Sequence, residues 1–276
     1  MKRSLLIVAT WNLIAGAATA QESDAPGNGP PPERGDWDVS LAVGTIASPT
    51  YLGDDSYIMS VVPSLSVNYK QTIFLSFEGL GANLINSHGF RAGPLATFDF
   101  GRNEDGSNPL QIVGGRTDDL DGLDNVDFTI ELGGFVEYSV DGFVGKIELV
   151  QGTNGHHGLV GSGTIKYQSA FPVLGKMGFY SLGPEVTFAD SKYMDSFFGV
   201  SPRASSRSGL ARFEADGGLR SAGFHATISI PLTRHISLTT FGGYDQLLGD
   251  AAESPLVRRR GSRDQGMGGA FLSYSF

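Results

Sequence analysis

Alternation constrains this chain more than any other feature. From Trp37 onward, long segments repeat with a period of two. In residues 128–140, Phe128, Ile130, Leu132, Val136, Tyr138 and Val140 occupy one phase. Thr129, Glu131, Gly133, Phe135, Glu137 and Ser139 occupy the other. Residues 37–44, 57–69, 143–150 and 224–232 behave in the same way. Successive side chains of a strand point to opposite faces, so each segment has one apolar face and one face of Gly, Ser, Thr and charge. Many segments run 10–14 residues. Strands of soluble sandwiches are usually ~5–6 residues, whereas a tilted strand needs ~9–11 to cross a bilayer. The polar phase carries mid-strand charges of both signs: Arg91, Asp99, Glu131, Glu137, Lys146, Glu148, Lys166 and Glu185. Such charges suit a wet or ion-paired barrel interior. The expected fold is all-β, a transmembrane antiparallel β-barrel. Arg91, Glu131, Glu137, Lys146, Glu148, Lys166 and His225 are its candidate lumen residues.

The two ends of the chain agree with that reading. Lys2 and Arg3 precede an apolar stretch from Leu5 to Ala18, and Ala18-Thr19-Ala20 has the small-x-small form of a signal-peptidase site. Residues 1–20 are therefore expected to be a signal peptide. Residues 21–36 are rich in Pro and Gly and are expected to form a flexible periplasmic tail. Residues 37–276 are expected to form the barrel. At the other end Ala270, Leu272, Tyr274 and Phe276 share one face. A terminal strand of this kind matches the signal read by outer-membrane insertion machinery, with Tyr274 and Phe276 as its key residues. The expected location is the bacterial outer membrane, with lipid against the apolar phase. Cysteine is absent, which excludes a disulfide scaffold and a thiol enzyme. The net charge of −9 argues against a nucleic-acid partner. Beyond residue 20 no apolar run approaches the ~20 residues of a spanning helix.

Bacterial barrels have an even number of strands, with short periplasmic turns and longer outer loops. Strands are expected near 37–46, 57–69, 72–79, 81–87, 89–101, 127–140, 143–151, 158–170, 176–189, 216–231, 235–248 and 267–276, which makes twelve. All the long connections then fall on the outer side. Merging the two short segments in 72–87 leaves ten strands as the alternative, at the cost of a long periplasmic loop. Asp141-Gly142 is a strong hairpin turn.

Few residues suggest chemistry. No G-x-S-x-G elbow is present. His225 faces the lumen beside Ser and Thr, which makes it the best candidate for a lipid hydrolase, although a structural role suits a lone lumenal histidine better. His156 and His157 share an outer loop, GTNGHHG. Neighbours on an extended chain point apart, so they form a poor metal site and read as a polar loop tip. The acidic run Asp118–Asp124 lacks the ligand order of an EF-hand and reads as a solvated loop. Arg258, Arg259 and Arg260 form a basic cluster that could meet lipopolysaccharide phosphates. No catalytic, cofactor or metal residues are expected.

Several blocks carry a resemblance. They are Gly35-Asp36-Trp37, Pro49-x-Tyr51-x-Gly53, Gly101-Arg102, Gly115-Arg116-x-Asp118-Asp119, Glu131-Leu132-Gly133, Phe197-Phe198-Gly199-Val200-Ser201 with Ser208-Gly209-Leu210, and Gly249-Asp250-Ala251-Ala252-x-Ser254-Pro255-Leu256-Val257. In this order they resemble the MipA/OmpV family of outer-membrane proteins, which usually has Tyr where Phe197 stands. The resemblance implies a non-enzymatic barrel that acts as a scaffold in murein synthesis. Its partners would be a lytic murein transglycosylase and a bifunctional penicillin-binding protein. Uptake of small solutes or antibiotics, or adhesion, are the alternatives it implies. The FFGVS and SPLV blocks fall in outer loops, away from periplasmic partners, unless those loops fold into the lumen.

Overall fold

The structure is a computed structural model that describes residues 36–77, 79–104, 106, 111–114 and 117–276. The expected signal peptide, nearly all of the tail, and Gly115 and Arg116 lie outside the described residues. The strands are β1 (Trp37–Pro49), β2 (Tyr57–Tyr69), β3 (Ile73–Ser76), β4 (Gly79–Ala82), β5 (Ile85–Ser87), β6 (Phe90–Asp99), β7 (Gln111–Val113), β8 (Thr129–Val140), β9 (Phe143–Gly152), β10 (Leu159–Val173), β11 (Lys176–Ala189), β12 (Gly218–Pro231), β13 (Ile236–Leu247) and β14 (Asp264–Ser275). Each pairs antiparallel with its neighbours, and β1 pairs with both β2 and β14, so the sheet closes on itself. β4 and β5 both pair with β6 and make one broken stave. β7 only flanks the outer end of β2. The ring therefore has twelve staves among the described residues. The short segments of 72–87 stay separate, which settles twelve over ten.

Alternation decides which way each side chain faces. Leu41, Val136, Ile147 and Ile165 point outward, with exposures of 50%, 46%, 63% and 61%. In water an exposed apolar band of this extent would promote aggregation; in a bilayer it is the lipid contact. Aromatic rings gather at the end bearing the short turns, where Trp37 meets Tyr69, Phe143 meets Tyr167, and Tyr274 meets Phe276. Such rings mark a membrane interface. The turns at this end are tight, and Asp141 and Gly142 both take positive φ. β14 lies opposite β1 from Ser275 against Ser40 to Gly268 against Ala47, so Tyr274 and Phe276 sit on the closing seam.

The other end carries the long connections, as parity requires. Among the described residues they contain four short helices: α1 (Ser191–Phe198), α2 (Pro202–Ser208), α3 (Gly249–Glu253) and α4 (Pro255–Arg260). None was expected from the sequence. They pack into the barrel mouth as a plug. One core joins Tyr193, Met194, Phe197, Phe198 and Val257 to Leu95, Phe135, Val150 and Leu247 of the wall. A second lies wholly within the loops and joins Tyr51, Leu120, Leu123, Val200, Leu210 and Leu256.

Candidate functional site

The plug and the lumen beneath it contain most of the family blocks that the structure describes, while Asp36-Trp37 lies at the opposite, short-turn end. Phe198 and Leu256 are fully buried, and Phe197, Val200, Leu210 and Val257 nearly so. Ser201 caps α2 by accepting from the Ala204 N–H at 3.1 Å, with Pro202 in the first turn. Ser208 precedes Gly209, which ends the helix in the left-handed region at φ 73°. Ser254 caps α4 ahead of Pro255 and donates its hydroxyl to the Phe198 carbonyl at 2.6 Å. Gly199 closes α1 with its N–H on the Asp195 carbonyl. The blocks are thus caps and core of a single folded plug. The choice left open by the resemblance is resolved in favour of loops that fold inward.

Cross-loop hydrogen bonds knit the plug together. Arg102 donates to the carbonyls of Phe197 and Asp124. Burial lowers its pKa to about 10, which still leaves it a cation. Tyr51 donates its hydroxyl to the Arg260 carbonyl at 2.9 Å. Arg260 in turn donates to the carbonyls of Asp119, at 2.7 Å, and Ser208. Arg258 pairs with Glu253 at 2.9 Å. Arg260 of the expected lipopolysaccharide patch is a structural tie inside the plug, while Arg258 and Arg259 are exposed. In the acidic run Leu120 and Leu123 anchor the chain in the loop core, while Asp118, Asp121 and Asp124 stay exposed as expected, with Asp124 paired to Arg207 at 2.8 Å.

Under the plug lies a buried polar layer. Asp99, Glu131 and His156 converge there from β6, β8 and the β9–β10 loop. His156 is 2% exposed and Glu131 is 1% exposed. The expected polar loop tip is therefore wrong for His156, whose ring packs edge-on against Tyr193 at 4.9 Å. The Gly158 N–H donates to His156 Nδ1 at 3.0 Å, so the ring proton sits on Nε2. Nε2 faces Glu131 Oε1 at 3.2 Å, and Glu131 Oε2 accepts from the Thr97 hydroxyl at 2.7 Å. Nε2 makes no hydrogen bond there, so Asp99, Glu131 and His156 form a buried polar cluster with their ligand atoms within 4.8 Å of one another; in this tautomer Nε2 offers a metal no lone pair.

Arg220 continues the layer. A register shift between Thr187 and Phe188 makes it the extra residue of a bulge, which turns its side chain inward. It donates to the Tyr193 hydroxyl at 2.9 Å. Burial is the main cause of the raised Tyr193 pKa. Arg220 also borders a cavity of about 40 Å³ lined by Tyr51, Glu185, Ser221, His225 and Asp245, a volume that holds a few waters. His225 faces the lumen as expected, with Nδ1 3.4 Å from Glu185 and Nε2 3.0 Å from Asp245. Both ring nitrogens are turned to carboxylates, which is the geometry of a held imidazolium.

The remaining lumen candidates face inward nearer the short turns. Arg91 pairs with Glu137 across β6 and β8. Lys146 pairs with Glu148 at 2.5 Å. Lys166 is buried in the wall of β10. Sequence reasoning passed over Arg220, Asp245 and the burial of His156. Asp245 shares the inward phase of Phe241, which is a usable signal. Arg220 is hidden by its bulge, and the setting of His156 depends on contacts distant in sequence.

An apolar outer wall, a polar lumen and a plug of inward-folded loops define a β-barrel protein of the bacterial outer membrane. Sequence comparison then places the chain within that class. The chain belongs to the MipA family, described as MltA-interacting protein MipA, whose pattern matches residues 41–276. No curated protein sequence matches it. Among solved structures it is similar to an outer-membrane channel from Pseudomonas putida F1, at 10% identity and a TM-score of 0.46, covering 92% of this chain and 100% of that one. It is also similar to CdiB from Acinetobacter baumannii, at 10% identity and a TM-score of 0.35, covering 88% and 60%.

Proposed function

We propose that this protein is a non-enzymatic scaffold of the outer membrane. Its periplasmic face would hold a lytic murein transglycosylase, with a penicillin-binding protein in the same assembly. One observation carries this reading: the outer mouth is filled by a packed plug, while the lumen narrows to buried charge beneath it. A barrel built in this way presents surfaces better than it passes solutes. The family description supplies the class of partner. The surface available to a periplasmic partner is the ring of tight turns around Lys70, His88, Asp141 and Lys176, with Asp36 paired to Lys70 at 3.3 Å.

The test is photocrosslinking in living cells from probes placed at residues 70, 88, 141 and 176. Capture of a murein transglycosylase from at least one turn is expected. Capture of no murein enzyme from any of the four would reject the scaffold. Conductance in planar bilayers tests the solute-channel alternative, and the scaffold reading expects no unitary current. His225→Ala tests the hydrolase alternative, and no loss of any lipase activity is expected.

A further inference from the structure

The lumen differs sharply along its length. Inward-facing residues of the outer half are buried, among them Ile46, Ser60, Val62, Asp99, Glu131, Glu185, Asp245 and Gln265. Inward-facing residues of the periplasmic half keep partial exposure on β1, β2 and β12–β14, at Ser40, Ser64, Ser66, Thr227, Ser229, Ser237, Thr239 and Ser273, whereas Glu137, Val144 and Lys166 on β8–β10 are buried. An inward side chain reachable by solvent borders open space, so a cup opens toward the periplasm along the β1, β2 and β12–β14 side of the lumen. The cup is also two-sided. The wall of β6, β8 and β9 bears the Arg91–Glu137 and Lys146–Glu148 pairs. The facing wall of β1, β2, β12, β13 and β14 carries hydroxyls over that depth and no charge within residues 40–44, 60–68, 227–229 and 237–239, or at 273.

A second feature stands at the inner limit of the hydroxyl wall. Phe241 and Phe271 point inward with ring centroids 6.1 Å apart and planes 28° from parallel. Each lies over a glycine of the neighbouring strand. A Cβ at Gly44 would meet the Phe271 ring at 2.5 Å, and one at Gly269 would meet the Phe241 ring at 2.6 Å. Gly44 lies opposite Phe271, and Gly269 lies opposite Phe241. The glycines let both rings lie against the wall, where they pack beside Ile46, Val62 and Met267 and keep partial exposure, a packing that also protects the bare backbone.

Flat aromatic faces bordered by neutral hydroxyls match the chemistry of a sugar ring, which has apolar C–H faces and a rim of hydroxyl donors and acceptors. The concavity, the aromatic floor and the few convergent polar groups are also the general features of a ligand site. We propose that the periplasmic cup binds a neutral carbohydrate chain, seated on Phe241 and Phe271 and hydrogen-bonded by Ser66, Ser229, Ser237, Thr239 and Ser273. This does not depend on the scaffold reading, which concerns the turns outside the cup.

The test is calorimetric titration of the full-length protein, folded in detergent, with N-acetylchitotetraose and separately with maltotetraose. Saturable binding of at least one is expected. Binding of chitotetraose alone marks a site for acetamido sugars of the murein type, and binding of both marks a general carbohydrate site. Phe241→Leu with Phe271→Leu keeps apolar volume but removes the rings, and is expected to weaken binding about tenfold. Ser66→Tyr, which fills the mouth without touching the rings, is expected to weaken it as well. Heat-modifiable migration in gels verifies that each variant folds. Failure of the wild type to bind either sugar, or equal affinity in folded ring and mouth variants, would overturn the proposal.

Discussion

The outer and periplasmic halves of this barrel are built from the same twelve staves and yet obey different rules. In the outer half, inward side chains meet loop side chains and are sealed, so each must fit a partner. In the periplasmic half those of β1, β2 and β12–β14 meet open space, and their polarity matters more than their shape. The energetic stakes differ accordingly. A polar group buried without a partner costs on the order of 1–3 kcal/mol, whereas an exposed ion pair contributes about 0–1 kcal/mol. Substitutions of comparable severity should therefore have unequal effects at the two ends.

The largest effect is expected at the plug core. Phe198→Asp or Leu256→Asp would bury an unpaired carboxylate at a fully enclosed position. The plug should come loose while the staves stay paired, giving unitary currents in planar bilayers where the proposed scaffold expects none from the wild type. A silent bilayer with folded variants would mean that the lumen is closed by more than the plug. Next comes His156→Ala, which removes the donor facing Glu131 and leaves a void. A loss of about 2–4 kcal/mol is expected in denaturant unfolding, against a smaller loss for His156→Gln.

A third prediction uses pH. Asp54 lies in the first outer loop with no exposed surface, and its Oδ2 has no hydrogen-bond partner. Burial raises its pKa from 3.8 to about 6. A raised pKa means that the folded state holds the proton more tightly, so the stabilising contribution is complete below about pH 4 and is lost as pH rises through about 6. Asp54→Asn should thus gain about 1–3 kcal/mol over wild type at pH 8, with the gain fading to nothing near pH 4. A pH-independent difference would show that Asp54 does not titrate in the plug. The smallest effect is expected in the open half. Lys70→Ala removes a pair whose two side chains are 52% and 59% exposed, and a change below about 1 kcal/mol is expected.

The same division explains what could be read from the sequence. The staves were legible because alternation is a local property that lipid enforces along the whole length of a strand. Even the awkward segments at 73–76 and 79–87 could be placed by counting sides. The plug was far less legible. Ser201-Pro202 ending at Gly209, and Ser254-Pro255, are recognisable helix starts and stops, but helices of this length draw their stability from packing and not from propensity. What Phe198 or Leu256 packs against is set by loops more than 50 residues apart. His156 shows the limit most clearly. Its neighbours in sequence mark a loop tip, and only Glu131 and Asp99, on two other strands, set it in a buried polar cluster.

The seam between β1 and β14 has a consequence for biogenesis. Ser40 finds its partner at Ser275, so the first stave can gain its second neighbour only after nearly the whole chain has been delivered. Joining ends that far apart in sequence is a slow, entropically expensive step. Until it happens, the leading edge of the sheet stays unzipped, and holding that edge must fall to something other than this polypeptide.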